Sequence, residues 1–304
     1  MITISLPTTS ARDMIGDLPD DVEVIVWDGL GDAPDGVERI ELFVGRYNAV
    51  PPAREVLERL TALRVVQLVS AGVEPWLPVV PDGVLLCNGR GIHGGSTAEL
   101  AVAGMLAVLR RIPDFEKAQR EHRWDRLQSV GLTGRRVLVL GAGDIGRRIA
   151  GVAEVLDAQT SLVARTARDG VHALDDLPAL LPEHDVVAIA LPLTPDTEGL
   201  VNAEFLAAMP DGALLVNIAR GSIVDTDALL GELTTRRLHA FLDVTEPEPL
   251  PHDHPLWDAP NLLLTPHVGG GTEGWERRAY ALVREQVLRL RAGTDLVNQV
   301  TSDY

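Results

Sequence analysis

Arg220, Glu248 and His267 combine a guanidinium, a carboxylate and an imidazole. Together these groups can bind an acid and move a proton. Each follows a short apolar run that reads as a β-strand: Arg220 follows 213–218, Glu248 follows 238–243 and His267 follows 262–265. In an open α/β sheet the reactive crevice lies just beyond the carboxyl ends of the strands. One polar residue in such a place is an ordinary loop side chain, but three on consecutive strand ends point to a site. A planar guanidinium grips a carboxylate through two parallel hydrogen bonds, so Arg220 can orient an α-keto acid. An imidazole that titrates near neutrality can protonate a carbonyl oxygen as hydride reaches the carbon, which is the part open to His267. In the reverse direction it acts as a base. A carboxylate beside it holds the ring and favours its charged form, which is the part open to Glu248.

A hydride donor would need its own binding turn, and the run RVLVLGAGDIG at 136–146 supplies one. It reads as a buried strand entering a G-x-G-x-x-G turn that opens a helix. Gly141 permits the tight turn, and Gly143 lets the backbone approach a pyrophosphate. Gly146 lets helix and strand pack closely, and Asp144 and Ile145 begin the helix whose N-terminus faces the phosphates. The coenzyme is read at the end of the next strand. An NAD enzyme usually carries an acid about 20 residues past the last glycine, to bond the ribose 2′-hydroxyl. Here Arg165, Thr166 and Arg168 occupy that place, and no acid occurs until Asp169. Arginines attract a 2′-phosphate, so NADP(H) is the expected coenzyme and NAD(H) the alternative.

These residues need a frame, and the chain alternates strands with helical segments throughout. In the first lobe strands are expected at 1–6, 22–27, 40–44, 65–69 and 84–88. A helical stretch is expected at 51–63, from the spacing of Val56, Leu57, Leu60 and Leu63. Ser96 and Glu99 form a capping-box pattern, predicting a buried helix from Ser96 to about Arg110. Six further strands are expected at 137–140, 160–164, 185–191, 213–218, 238–243 and 262–265, spaced as in a doubly wound sheet. An amphipathic helix at 273–291 can carry the chain back to the first lobe.

Composition sets outer bounds. The chain has 304 residues, enough for two domains with real cores. Its net charge of −17 argues against nucleic acid and anionic membranes as partners. No apolar run is long enough to span a bilayer and no secretory signal pattern opens the chain, so a cytoplasmic protein is expected. The single cysteine, Cys87, excludes an internal disulfide and is read as a quiet member of a buried strand. His252 and His254 lack further ligands in their proline-rich loop, and no metal is expected. Ser222 lies in no nucleophile-elbow pattern, so nothing supports a hydrolase. Arg46 and Tyr47 follow a first-lobe strand end and are candidate substrate contacts. Trp275 is read as helix packing.

The order and spacing of several segments resemble the D-isomer-specific 2-hydroxyacid dehydrogenase family over essentially the whole chain. They are Ser70 to Val73, Thr97 to Glu99, the glycine fingerprint, Leu191 to Thr197, Asn217 to Asp225, Asp243 to Pro251 and Thr265 to Gly269. The resemblance implies a Rossmann-type doubly wound parallel sheet in a cofactor lobe, residues 96–277. It also implies a smaller flavodoxin-like α/β substrate lobe, residues 1–95 completed by 278–304. Arg220, Glu248 and His267 become the catalytic set. Glu246 is a rival acid, and the family's placement of the acid directly before Pro-Leu selects Glu248. The amides of Ala71, Gly72 and Val73 are implied to bind the substrate carboxylate, with Arg220 and His267. Leu191, Pro192, Thr197, Ile218, Ala219, Arg220, Asp243, His267 and Gly269 are implied to line the cofactor. The pattern is most similar to NADP-preferring glyoxylate and hydroxypyruvate reductases, whose partners are small 2-keto and 2-hydroxy acids. A homodimer through the cofactor lobe, using the 96–123 region, is implied as well. The alternatives are a phosphoglycerate- or phosphite-type dehydrogenase and a nucleotide-sensing corepressor-like binding module. The first often carries an extra regulatory domain, which is not expected after Tyr304.

Overall fold

The computed structural model describes residues 1–300, and the chain divides into two compact units. One comprises Met1–His93 together with the chain from Gly271, and the other comprises Gly94–Gly270. The divisions thus fall after His93 and after Gly270, where 95 and 277 were expected. Residues 301–304, the end of the segment expected to complete the first lobe, lie outside the described residues.

The first unit is built on five strands: β1 (Ile2–Leu6), β2 (Val22–Val26), β3 (Ile40–Val44), β4 (Val65–Gln67) and β5 (Leu85–Cys87). They pair in parallel in the order β2-β1-β3-β4-β5, the flavodoxin-like order. Strands buried on both faces need apolar residues at consecutive positions, and β3 shows why. Leu42 and Val44 enter one core with Ile4, Leu6, Val283 and Val287, while Phe43 enters the other with Val66, Leu68 and Trp76. Helix α1 (Thr9–Met14) is capped by Thr8, whose hydroxyl accepts from the Ala11 amide at 3.1 Å. Helix α2 (Arg54–Glu58) is much shorter than the stretch expected at 51–63. After Glu58 the chain turns back, and the amides of Ala62 and Arg64 bond the carbonyls of Glu38 and Glu41 at 3.1 and 2.9 Å. Long-range pairing there overrides the helical spacing.

In the second unit, helix α3 (Gly94–Leu109) begins two residues earlier than expected. Ser96, expected at the N-cap, is buried as the third residue of the helix. Its first residue must be glycine, since a Cβ there would lie 1.9 Å from Asp144 Oδ2. Helix α4 (Ile112–Arg120) follows, and then strand β6 (Arg136–Leu140), helix α5 (Asp144–Val155) and strand β7 (Gln159–Ala164). A two-residue strand, β8 (His172–Ala173), was not expected, because so short a segment has no readable period. The rest is α6 (Leu177–Leu180), β9 (Val186–Ile189), α7 (Ala203–Ala208), β10 (Leu214–Asn217), α8 (Thr226–Thr234), β11 (His239–Leu242) and β12 (Leu262–Leu264).

These seven strands are all parallel, in the order β12-β11-β10-β9-β6-β7-β8. This is the doubly wound Rossmann arrangement, and the order reverses between β6 and β9. The glycine turn follows β6 and therefore opens at that switch point. Apolar clusters fill both faces: Leu138 and Leu140 of β6 enter one, and Val137 and Val139 the other. The eleven expected strands all lie within two residues of their predicted bounds. Helix α9 (Trp275–Ala292) returns to the first unit and buries Ala279, Tyr280, Val283, Val287 and Leu290 against its sheet. Among the described residues, no helix is long and apolar enough to cross a membrane.

Candidate active site

The fingerprint turn has the backbone geometry of a phosphate cradle. Gly141 sits at φ +120°, and a Cβ there would meet the Ala190 carbonyl oxygen at 2.4 Å. A Cβ on Gly146 would come within 1.8 Å of the Gly141 carbonyl oxygen, so helix and turn approach at a distance that only glycine allows. Gly143 differs: it is exposed, and a Cβ there would meet nothing within 4 Å. The space beside it is open where a pyrophosphate would lie. Gly143 also caps α5 without a side-chain bond, leaving the first-turn N–H groups available to an anion. Ile145 packs on the core. The Asp144 carboxylate takes a 2.9 Å bond from Arg148 Nε, while its other oxygen is buried without a hydrogen-bond partner. Asp144 thus offers its backbone, not its side chain, to the turn. The residues present fit a dinucleotide.

Beyond β7, Arg165 and Thr166 are exposed. Arg168 and Val171 exchange both backbone hydrogen bonds, at 3.0 and 2.8 Å, with Gly170 at φ +70°. Asp169 is therefore held in the tip of a tight turn. Arg168 Nη2 reaches back to the Ala142 carbonyl at 3.5 Å, and Arg147 Nε donates to the same oxygen at 3.1 Å. Two guanidinium groups thus meet at the centre of the glycine turn. Arg147 is absent from the sequence-based site, although its place directly after Gly146 could have drawn attention to it.

On the other side of the switch point, Leu191 is buried and Pro192 exposed. The Thr197 hydroxyl closes this loop: it donates to the Pro192 carbonyl at 2.7 Å and accepts from the Thr194 amide at 2.8 Å. Its hydroxyl thus serves the loop itself. After β10, buried Asn217 folds the turn that carries Arg220. Its Nδ2 donates to the Arg220 carbonyl at 2.8 Å, and its Oδ1 accepts from the Ala219 amide at 3.0 Å. Ile218 and Ala219 are buried in that turn, and Arg220 is half-buried with Nη1 donating to the Ala219 carbonyl at 2.7 Å. Asn217 is a supporting residue that sequence reading placed in a motif but not in the site.

Beyond β11 and β12 the chain is organised by Asp243, which is buried. Its Oδ1 accepts from Thr265 Oγ1 at 2.6 Å and from the Val268 amide at 2.9 Å, and its Oδ2 accepts from the Gly269 amide at 2.9 Å. Its carbonyl accepts from the His267 amide at 2.7 Å. His267 is held at φ +53°, a left-handed conformation that costs a non-glycine residue of order 1–3 kcal/mol. The ring Nδ1 of His267 lies 2.6 Å from Glu248 Oε1, with both side chains partly open to water. Glu246 is placed differently. It lines a cleft with Ser222, Asp225, Thr226, Pro247 and His254, and its carbonyl accepts from Thr226 Oγ1. Because β10, β11 and β12 are adjacent and parallel, Arg220, Glu248 and His267 all follow carboxyl ends on one sheet edge. This arrangement can bind an anion and move a proton through the free face of an imidazole.

The first-unit candidates form their own cluster. Arg46 is exposed and pairs with Asp28 at 3.4 Å. Tyr47 packs against Trp275 and His93, with ring centroids 4.4 and 5.0 Å away. His93 was not singled out in the sequence. Ala71, Gly72 and Val73 lie in the loop after β4.

The sequence profile for the D-isomer specific 2-hydroxyacid dehydrogenase, NAD binding domain, matches residues 102–269. The chain belongs to the D-isomer specific 2-hydroxyacid dehydrogenase family. It is 31% identical over 299 residues to a D-3-phosphoglycerate dehydrogenase of Synechocystis sp., covering 92% of this chain and 54% of that one. The chain thus spans about half the length of that relative. Among solved structures it is similar to a D-isomer specific 2-hydroxyacid dehydrogenase of Xanthobacter autotrophicus Py2 in complex with NADPH and MES. The identity is 31% and the TM-score 0.85, with 99% of this chain and 98% of that one covered. It is also similar to an NADPH-dependent glyoxylate/hydroxypyruvate reductase of Sinorhizobium meliloti in complex with NADP and sulfate. There the identity is 27% and the TM-score 0.82, with 98% and 97% covered.

Proposed function

We propose that this protein reduces small 2-keto acids to D-2-hydroxy acids with NADPH, and that glyoxylate and hydroxypyruvate are its substrates. The observation that carries the reading is the 2.6 Å pairing of His267 Nδ1 with Glu248 Oε1, on the sheet edge that also carries Arg220. When bound, the reduced nicotinamide supplies hydride to the carbonyl carbon. Arg220 holds the substrate carboxylate through its planar guanidinium. Glu248 accepts a hydrogen bond from Nδ1–H of His267 and so fixes the ring, and the imidazolium gives its Nε2 proton to the carbonyl oxygen and becomes neutral. In the oxidative direction the same nitrogen receives the hydroxyl proton.

The preference for NADPH rests on the basic side chains around the glycine turn. Arg165 and Arg168 stand where an acid would bond a ribose 2′-hydroxyl, and Arg147 adds a third positive charge beside Ala142. The Sinorhizobium and Xanthobacter relatives, described with NADP and NADPH, support the same reading. The unit with the glycine turn is the cofactor domain and the other unit the substrate domain. The protein acts as a homodimer through the cofactor domain. In support, Trp124 is 89% exposed, and Ile112, Leu127 and Val130 are also exposed. Light scattering should give the mass of two chains.

The experiment is the decay of nicotinamide absorbance, with NADPH and NADH each offered glyoxylate, hydroxypyruvate, pyruvate and 3-phosphohydroxypyruvate. Fast oxidation of NADPH by the two smallest acids is expected. Preference for the phosphorylated acid would replace the substrate class with that of the Synechocystis relative. Tight NADPH binding without any turnover would overturn the enzymatic reading in favour of a binding module.

A further inference from the structure

We propose that His93 is a positioning residue that holds the loop after β4 as a preformed carboxylate-binding arch. This rests on the keto-acid reading of the site. The chain from Val69 to Val73 has five consecutive carbonyls, and each accepts a hydrogen bond. Val69 O bonds His93 Nε2 at 2.9 Å, Ser70 O accepts from the Gly89 amide at 2.6 Å, and Ala71 O accepts from Asn88 Nδ2 at 3.2 Å. Gly72 O accepts from Ser70 Oγ at 3.1 Å, and Val73 O accepts from the Trp76 amide at 2.8 Å. With every carbonyl tied inward, the peptide planes have little freedom to flip. The amide of half-buried Gly72 donates to no acceptor among the described residues, while Val73 after it is packed into the core. A short backbone arch with restrained carbonyls and an N–H left to donate outward is an anion receptor whose ordering cost is met on folding.

His93 is the only side-chain ring among these donors, and it is itself held. It is buried, stacked on Tyr47 at 5.0 Å and 26°, and packed on Trp275 at 5.5 Å. Because a carbonyl oxygen only accepts, His93 Nε2 carries the hydrogen of this bond. Two aromatic neighbours fix the ring plane, and the ring fixes the first carbonyl of the arch. His93 therefore acts on substrate through the loop, without touching the reacting atoms.

The test compares His93→Phe and His93→Gln with wild type in NADPH-coupled glyoxylate reduction, with oxamate as competing anion. Phenylalanine keeps the stacking and removes the donor, and glutamine restores an N–H at similar reach. In His93→Phe, KM for glyoxylate and the oxamate inhibition constant should rise together by about 5–10-fold, the scale of one lost neutral hydrogen bond. KM for NADPH and kcat should stay within about 2-fold, and His93→Gln should recover most of the loss. Unchanged glyoxylate KM in His93→Phe would overturn the proposal while leaving the keto-acid reading intact. A uniform fall in kcat and in affinity for both ligands, not rescued by glutamine, would mark His93 as merely structural. If wild type turns over no keto acid, it is the functional reading that fails. Should His93→Phe not fold, Ser70→Ala deletes only the hydroxyl on Gly72 O. It should show the same split between substrate and coenzyme, and its absence would refute the arch.

Discussion

His267 donates its backbone N–H to the carbonyl of Asp243 at 2.7 Å, so the imidazole is presented by a loop that the neighbouring strand end controls. The Asp243 side chain reinforces that control by accepting from Thr265, Val268 and Gly269 on either side of His267. A buried carboxylate with three donors is a strong local anchor, because each charge-assisted bond is worth roughly 1.5–3 kcal/mol. Asp243→Ala leaves those donors without an acceptor. It should lower kcat for keto-acid reduction by about 100-fold or more, through loss of His267 placement. Asp243→Asn keeps one carbonyl oxygen and should lose less. Equal and small effects from both would show that the loop holds itself.

Glu248 and Glu246 are two residues apart, yet only Glu248 meets His267. Glu248→Gln keeps the size and removes the charge beside the imidazole. Turnover should fall by about 10–100-fold, with KM for NADPH unchanged. Glu246→Gln should stay within about 2-fold of wild type on both counts. Steady-state kinetics of the two variants side by side decides between them, and a larger loss at Glu246 would reverse the assignment.

The glycines of the turn separate folding from binding. A methyl at Gly146 would sit 1.8 Å from a backbone oxygen, so Gly146→Ala forces strand and helix apart. It should cost about 1–3 kcal/mol or more, seen as a lower thermal midpoint. At Gly143 the methyl meets no protein atom within 4 Å. Gly143→Ala should keep the thermal midpoint of wild type while weakening NADPH binding at least about 10-fold, because the methyl enters the space of the pyrophosphate. Binding is read by nicotinamide fluorescence, without turnover. Wild-type affinity in Gly143→Ala would mean that the phosphates lie elsewhere.

Cys87 reports on the first-unit core. Burial pushes its thiol up to about 11, against a partial opposing contribution from a hydrogen bond with Gln286. A raised thiol favours the protonated form in the folded state. The associated stability is complete below about pH 9 and is lost as pH rises toward 11. Tyr280 of the same core is raised in the same sense by burial, with Glu276 adding to it. Native protein at pH 8 should therefore resist alkylation, and Cys87→Ala should flatten the fall in thermal midpoint between pH 9 and 11. Rapid labelling of the folded protein would show that the segment opens readily.

Much of this protein is written locally. Val137 to Leu140 and Leu214 to Val216 are apolar on consecutive positions because both faces of a parallel strand are buried, and such runs are visible without a structure. The glycine spacing is equally local, since a turn, a helix start and a close packing contact fall within six residues. Residues at strand ends could then be placed on one edge, which is why Arg220, Glu248 and His267 stood out together. Tertiary structure decided what depends on distant partners. Helix α3 starts at Gly94 and not at Ser96, and residue 94 must be glycine because Asp144, fifty residues on, leaves no room for a side chain. The segment after Glu58 leaves its helix because Glu38 and Glu41 offer better partners. The resemblance had already favoured Glu248 over Glu246, but only packing set Arg147 beside Arg168 and brought His93 onto Val69. Periodicity reports which face of an element is buried. Which polar groups meet is set by packing between elements far apart in the chain, and that information exists only once the chain has folded.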